Sequence, residues 1–311
     1  MEEQQIAKLT STQWQEPQQQ VPPIPRAYRP ATKSRTWIHA VLFLLTVAST
    51  FLVGLGDGIA GALWYSGGIM AILLAHEMGH YLTARKYGIP ATLPFFIPMP
   101  FSPFGTMGAV IKMSGTIPNR RALMDVGAAG PLAGMVLIIP SIVLGLSKSK
   151  LVPLASLGGN SISLGDSLLF NFLAWISVGP VPRGQDILLH PLAFAGWVGL
   201  LVTALNLLPI GQLDGGHISY SLFQGKSRVV SRVFYWILIG VCLFLYAGWA
   251  LLVVILTLIR RHPPTRDDAV PLDRRRVVMG WIALAVFILA FTPVPFGIGE
   301  GLIPMVVNAL R

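Results

Sequence analysis

The chain has 311 residues, of which 53% are hydrophobic and only 12% charged, and its mean hydropathy is +0.65. A soluble domain carries about 25% charged residues, so the composition excludes an ordinary water-soluble globule and points to lipid as the main solvent. The formal net charge of +10 sits in Lys and Arg that flank apolar runs, where such residues set topology and meet anionic lipid; without a basic helix or aromatic-interleaved basic patch, no nucleic-acid partner is expected.

In chain order, residues 1–36 are rich in Gln and Pro and show no apolar period, which predicts a disordered tail. They also lack the basic-then-apolar start of a signal peptide. Apolar runs near the ~20 residues needed to cross a bilayer then predict six transmembrane helices, at about 37–55, 60–86, 122–146, 191–213, 233–259 and 277–292. The expected fold class is therefore an all-α polytopic membrane protein. Between the second and third spans, "YGIPATLPFFIPMPFSPFGTMGAVIKMSGTIPNRR" is interrupted too often by Pro and Gly for a straight helix. Its "GTMGAVIKMSGT" fits a short strand or a re-entrant β-hairpin. Residues 147–190 read as a loop, with "SLLFNFLAWISVG" too short to span, and 298–310 stay unassigned. The basic residues favour a cytosolic N-terminus, against which "RRHPPTRDDAVPLDRRR" falls on the opposite side of this six-span layout.

Cys242 is the single cysteine, so intramolecular disulfides and cysteine metal clusters are excluded and any metal must be held by His, Asp or Glu. The second span contains "HEMGH". Residues four apart stand on one face of a helix, so His76 and His80 can point at one metal ion, and Glu77 can reach a water there as general base. Ionisable groups within a membrane span mark function by default.

Two histidines leave a catalytic zinc one protein ligand short. The third is sought in "NLLPIGQLDGGHISYSL", where Asp214 is placed at the end of the fourth span and Gly215 and Gly216 let that helix unwind. The rivals are His217, His190 and Asp125. The second and fourth spans run in the same direction and carry their polar groups past midpoint, which favours Asp214. This requires residues 87–190 to cross an odd number of times.

"HEMGH", followed some 130 residues later by "NLLPIGQLDGG", resembles the site-2 protease family of intramembrane zinc metalloproteases. "FGTMGAVIKM", "NRRALMDVGAAGPLAG" and "HPLAFAGW" are similar to its bacterial, cyanobacterial and plastid group. The resemblance implies Zn2+ bound by His76, His80 and Asp214, Glu77 as catalytic base, and a substrate-binding or oxyanion role for Asn206. It further implies membrane-spanning protein substrates, regulated intramembrane proteolysis and a multi-pass place in a bacterial or cyanobacterial inner membrane. On this reading residues 37–225 form the catalytic membrane core and 226–311 the C-terminal transmembrane helices. Residues 147–190 are too short and too apolar for the PDZ domain that many bacterial members carry between the two motifs. "GAAGPLAG" reads as a small-residue run for close helix packing against the metal-bearing spans. The rival class is a membrane metal transporter, or a non-catalytic scaffold, using the same His/Asp site. A transporter predicts polar groups spread along a path, whereas here they cluster at one depth.

Overall fold

The structure, a computed structural model, describes residues 35–156, 163–259, 262–297 and 301–309. The expected tail, apart from Arg35 and Thr36, lies outside them. Helix α1 (Thr36–Gly54) buries His39, Thr46, Ser49, Thr50 and Gly54 while Leu44, Leu45 and Leu52 are exposed. Polar residues face inward and apolar ones outward, as expected where lipid surrounds a helix and hydrogen bonds must be satisfied within the protein. Accordingly, Thr50 Oγ1 lies 2.8 Å from Ser66 Oγ on α2 (Gly58–Lys86).

Three helical stretches are long and apolar enough to cross a membrane: Thr36–Lys86, Arg120–Leu146 and Asp214–Phe244. The first joins α1 and α2 through a single 3-10 turn, and the second is α3. Shorter apolar helices are α4 (Leu168–Val178) and α5 (Pro191–Asn206). Between α2 and α3, β1 (Phe95–Met99) and β2 (Gly105–Val110) form an antiparallel hairpin with a bulge between Phe96 and Pro98. The hairpin rests on α1, where Ser49 Oγ donates to the Gly105 carbonyl and the His39 and Phe95 rings stand 4.1 Å apart. Residues 147–190 hold a second two-stranded sheet, β3 (Lys150–Pro153) with β4 (Gln185–Leu188), and α4.

Two expected spans are corrected. The fourth, 191–213, ends as a helix at Asn206; a turn over 207–213 follows, with Gly211 at φ +58°, and Asp214 opens a new helix, α6 (Asp214–Phe223). Gly215 and Gly216 are helical rather than unwound. The fifth, 233–259, is two helices, α7 (Ser227–Phe244) and α8 (Ala250–Ile259), folded back so that Tyr235 and Thr257 hydroxyls meet at 2.6 Å. Helices α9 (Arg274–Ala290) and α10 (Leu302–Ala309) complete the described chain.

The α7–α8 fold-back returns residues 262–276 to the end of the bundle that carries Lys86 and the start of α3. There Arg266 N donates to Ile117 O at 2.9 Å, and the Arg276 guanidinium grips Asp125 through Nε at 2.8 Å and Nη2 at 2.7 Å while also donating to Tyr87. The described part of the late basic cluster, residues 262–276, thus joins the end that carries Lys86 instead of opposing it. Among the described residues, Lys148, Lys150 and Arg183 are left for the other end.

Candidate metal centre

His76 and His80 lie one turn apart on the buried face of α2, with 4% and 6% of their surface exposed. Their Nε2 atoms are 3.2 Å apart, and Asp214 Oδ2 stands 3.3 Å from the first and 3.2 Å from the second. Ligands about 2.0–2.1 Å from a tetrahedral zinc stand ~3.3 Å from one another, so this triangle already has the edge that zinc needs. The His80 Nδ1 sits 2.8 Å from the Val126 carbonyl; a carbonyl only accepts, so Nδ1 carries the proton and the Nε2 lone pair is free. Lone pairs facing each other in a buried site repel unless a cation lies among them. The residues present therefore fit a zinc ion. His76, His80 and Asp214 form the group of ionisable side chains with metal-binding spacing among the described residues.

Local sequence explains the convergence. At Gly130 of α3, a Cβ would lie 2.0 Å from His80 Nε2, so only glycine lets α3 pass the ligand. Gly79 serves the same purpose on α2, since a Cβ there would lie 2.5 Å from the Ala129 carbonyl. The small-residue run "GAAGPLAG" is thus packing, directly against the ligands. On α6, a Cβ at Gly215 would lie 1.9 Å from the Leu207 carbonyl, so the double glycine seats the helix on the 207–211 turn. Asp214 then occupies the first turn of α6, where the helix dipole favours a carboxylate. At the far end, buried Arg120 donates from Nε and Nη2 to the Ser221 carbonyl and fixes α6 to α3.

A cavity of about 190 Å³ opens on the triangle. Glu77, Asn206 and His217 line it, together with Ala109–Ile111 at the end of β2. The Ile111 backbone N–H addresses the Glu77 carboxylate, and Asn206 Nδ2 lies 3.3 Å from His76 Nε2. All five residues singled out by sequence meet here. The rival ligands do not join the triangle. His190 caps α5, where Nδ1 accepts from Leu192 N at 3.2 Å. Asp125 is held by Arg276 and Tyr87. His217 lines the cavity, but its Nδ1 is 2.7 Å from His262 Nε2.

The profile of peptidase family M50 matches residues 64–247, which contain the whole triangle, Glu77 and the hairpin. The chain belongs to peptidase family M50. Among curated relatives, it is 28% identical over 302 residues to "Probable zinc metalloprotease EGY1, chloroplastic" of Arabidopsis thaliana, covering 85% of this chain and 54% of the relative. The Arabidopsis EGY2 protein is 31% identical over 246 residues, covering 78% and 43% respectively. The EGY2 protein of Oryza sativa subsp. indica is 31% identical over 249 residues, covering 78% and 44%. The chain thus spans about half the length of the curated relatives it matches. No solved structure matches it.

Sequence reasoning did not single out Gly130, the Val126 carbonyl or His262. Glycine spacing in "GAAGPLAG" was a signal for the first. The other two are long-range contacts that leave no local pattern.

Proposed function

We propose that this M50 chain is an intramembrane zinc metalloendopeptidase that hydrolyses peptide bonds of membrane-spanning protein substrates, the step required for regulated intramembrane proteolysis. The observation that carries the reading is the triangle of His76, His80 and Asp214 donor atoms in the wall of a cavity shared with Glu77 and a strand edge. When bound, zinc supplies Lewis acidity and brings the pKa of water toward neutrality. Glu77 takes the proton of the attacking water and returns it to the leaving amine. Asn206 offers its amide N–H to the developing oxyanion.

A substrate helix must unwind before its carbonyls can be reached. Strand β2 pairs with β1 on one edge, and its end lines the cavity. An unwound segment added along the remaining edge is thereby drawn past Glu77. The hairpin is read as re-entrant: Phe101 at its tip is 97% exposed, and Ile97, Met107 and Val110 also face outward. Helices α1, α2, α3 and α9 and the broken α5–α6 pair are read as crossing the bilayer, with α7–α8 entering and leaving on the basic side. That revises the expected six-span layout. It keeps the division into tail (1–36), catalytic core (37–225) and C-terminal helices (226–311). The membrane assigned is the inner membrane of a bacterial or cyanobacterial cell.

The test is Glu77→Gln in proteoliposomes containing a single-span substrate. It is expected to retain zinc while lowering the cleavage rate by about 10²–10⁴-fold. Cleavage at the wild-type rate would remove Glu77 from the chemistry and the protease reading with it.

A further inference from the structure

Behind the metal-bearing helix lies a second and larger cavity. Its volume is about 580 Å³, and it is walled by the 209–211 turn and α6 on one side and by α7 on the other. The chain turns between the two helices at Gln224, at φ +49°. Arg228 and Arg232, one helical turn apart on α7, both line the cavity. Among the described residues neither guanidinium is hydrogen-bonded or ion-paired: the ion pairs present involve Arg276, His76 and His80. Ser219 of α6 also lines it, is 1% exposed, and has an Oγ with no hydrogen-bond partner. A buried hydroxyl normally finds a partner, and the two arginines, both exposed on the rim of the cavity, offer it converging guanidinium donors that suit an anion. The Tyr220 hydroxyl in the wall is already committed to Asp268 at 2.6 Å, so the arginines carry the charge recognition.

The surroundings point to the kind of anion. Arginine presents a planar fork of donors that matches phosphate oxygens. On the same helix Val229, Val233 and Ile237 are exposed and apolar, and Trp236, 62% exposed, forms part of the cavity wall. A tryptophan at such a boundary is the signature of the membrane interface. The cavity also lies at the basic end of the bundle, which meets the anionic leaflet when basic loops face the cytosol.

We propose that this cavity is a binding site for a phosphate-bearing anion, held by Arg228 and Arg232, and that its occupant is the headgroup of an anionic phospholipid whose acyl chains lie along the apolar face of α7. The site is independent of the metal chemistry.

The full chain, purified in neutral detergent, is titrated with dioleoyl-phosphatidylglycerol, with dioleoyl-phosphatidylcholine and with inorganic phosphate. Bound lipid is counted by native mass spectrometry and stability is read as Tm. Phosphatidylglycerol is expected to bind saturably and raise Tm, and phosphatidylcholine to do neither. The double variant Arg228→Gln/Arg232→Gln should lose about thirtyfold in apparent affinity for phosphatidylglycerol, while the lysine double variant keeps part of it. A control, Arg274→Gln/Arg275→Gln, removes two exposed arginines from the same end and should bind like wild type. An unchanged glutamine double variant, or an equal loss in the control, overturns the site in favour of diffuse surface charge. Inorganic phosphate that alone reproduces the full Tm rise overturns the lipid assignment.

Discussion

On one side of α6, Asp214 meets two imidazoles at 3.2–3.3 Å, and glycines bring three helices to within atomic contact around a cavity of about 190 Å³. On the other side the same helix faces a cavity of about 580 Å³ whose two arginines reach no carboxylate among the described residues. The metal side is pre-organised: the Val126 carbonyl fixes the His80 ring, Arg120 ties the Asp214-bearing helix α6 to α3, and Gly130 lets α3 pack against His80. The far side leaves its charges to be satisfied from outside the chain. A single ten-residue helix can serve both because its first turn points the carboxylate one way while Gly216, Ser219 and Tyr220 line the other cavity.

The comparison can be broken first at the ligands. Asp214→Ala is expected to leave the purified protein without zinc, whereas His217→Ala keeps it, as read by metal analysis of the two variants side by side. Zinc loss from His217→Ala with retention in Asp214→Ala would reverse the ligand assignment. Next comes packing. Gly130→Ala forces a methyl group against His80 and should lower zinc affinity together with about 1–3 kcal/mol of stability. Gly225→Ala, beside the looser cavity where an added Cβ meets nothing within 4 Å, should stay within about 0.5 kcal/mol of wild type. Equal Tm values and zinc affinities for these two variants would mean that tight packing does not distinguish the two sides. Last comes Arg276→Gln, for which no effect on the metal is expected. It removes a charged partner from Asp125 and Tyr87 and should lower stability by about 1–3 kcal/mol while leaving zinc content at the wild-type level. A loss of zinc would show that the 262–276 segment helps to shape the metal side.

Where function and local pattern coincide, the chain could be read directly. Residues His76, Glu77 and His80 fall within five consecutive positions of one helix, and the ends of α1, α2 and α3 fall where apolar runs meet Arg35, Lys86 and the Asn119 cap. Asp214 was reachable because "LDGG" follows a span. Its true position at the head of α6 was hidden because "LLPIGQL" is as apolar as the helix before it. Hydropathy does not distinguish a buried turn from a span, and only Pro209 and Gly211 signal the break. The α7–α8 bend was concealed in the same way, inside "LFLYAGWALL". There the turn is held by a distant contact, from Trp249 Nε1 to the Pro293 carbonyl at 2.8 Å. The His217–His262 pair joins residues 45 apart, a relation no periodicity encodes.

The hairpin's dependence on α1 divides labour along the chain. The metal triangle is assembled wholly from α2, α3 and α6, within the residues shared with the M50 profile. The wall behind the strands comes from upstream of that match: Ser49 holds the Gly105 carbonyl, and Phe43 meets Phe96 edge-on at 5.1 Å. Gly105 itself lies so close to Thr50 that a side chain there would collide with the α1 backbone. Holding the metal and bracing the hairpin beside it thus fall to separable stretches of sequence, and α1 is that brace.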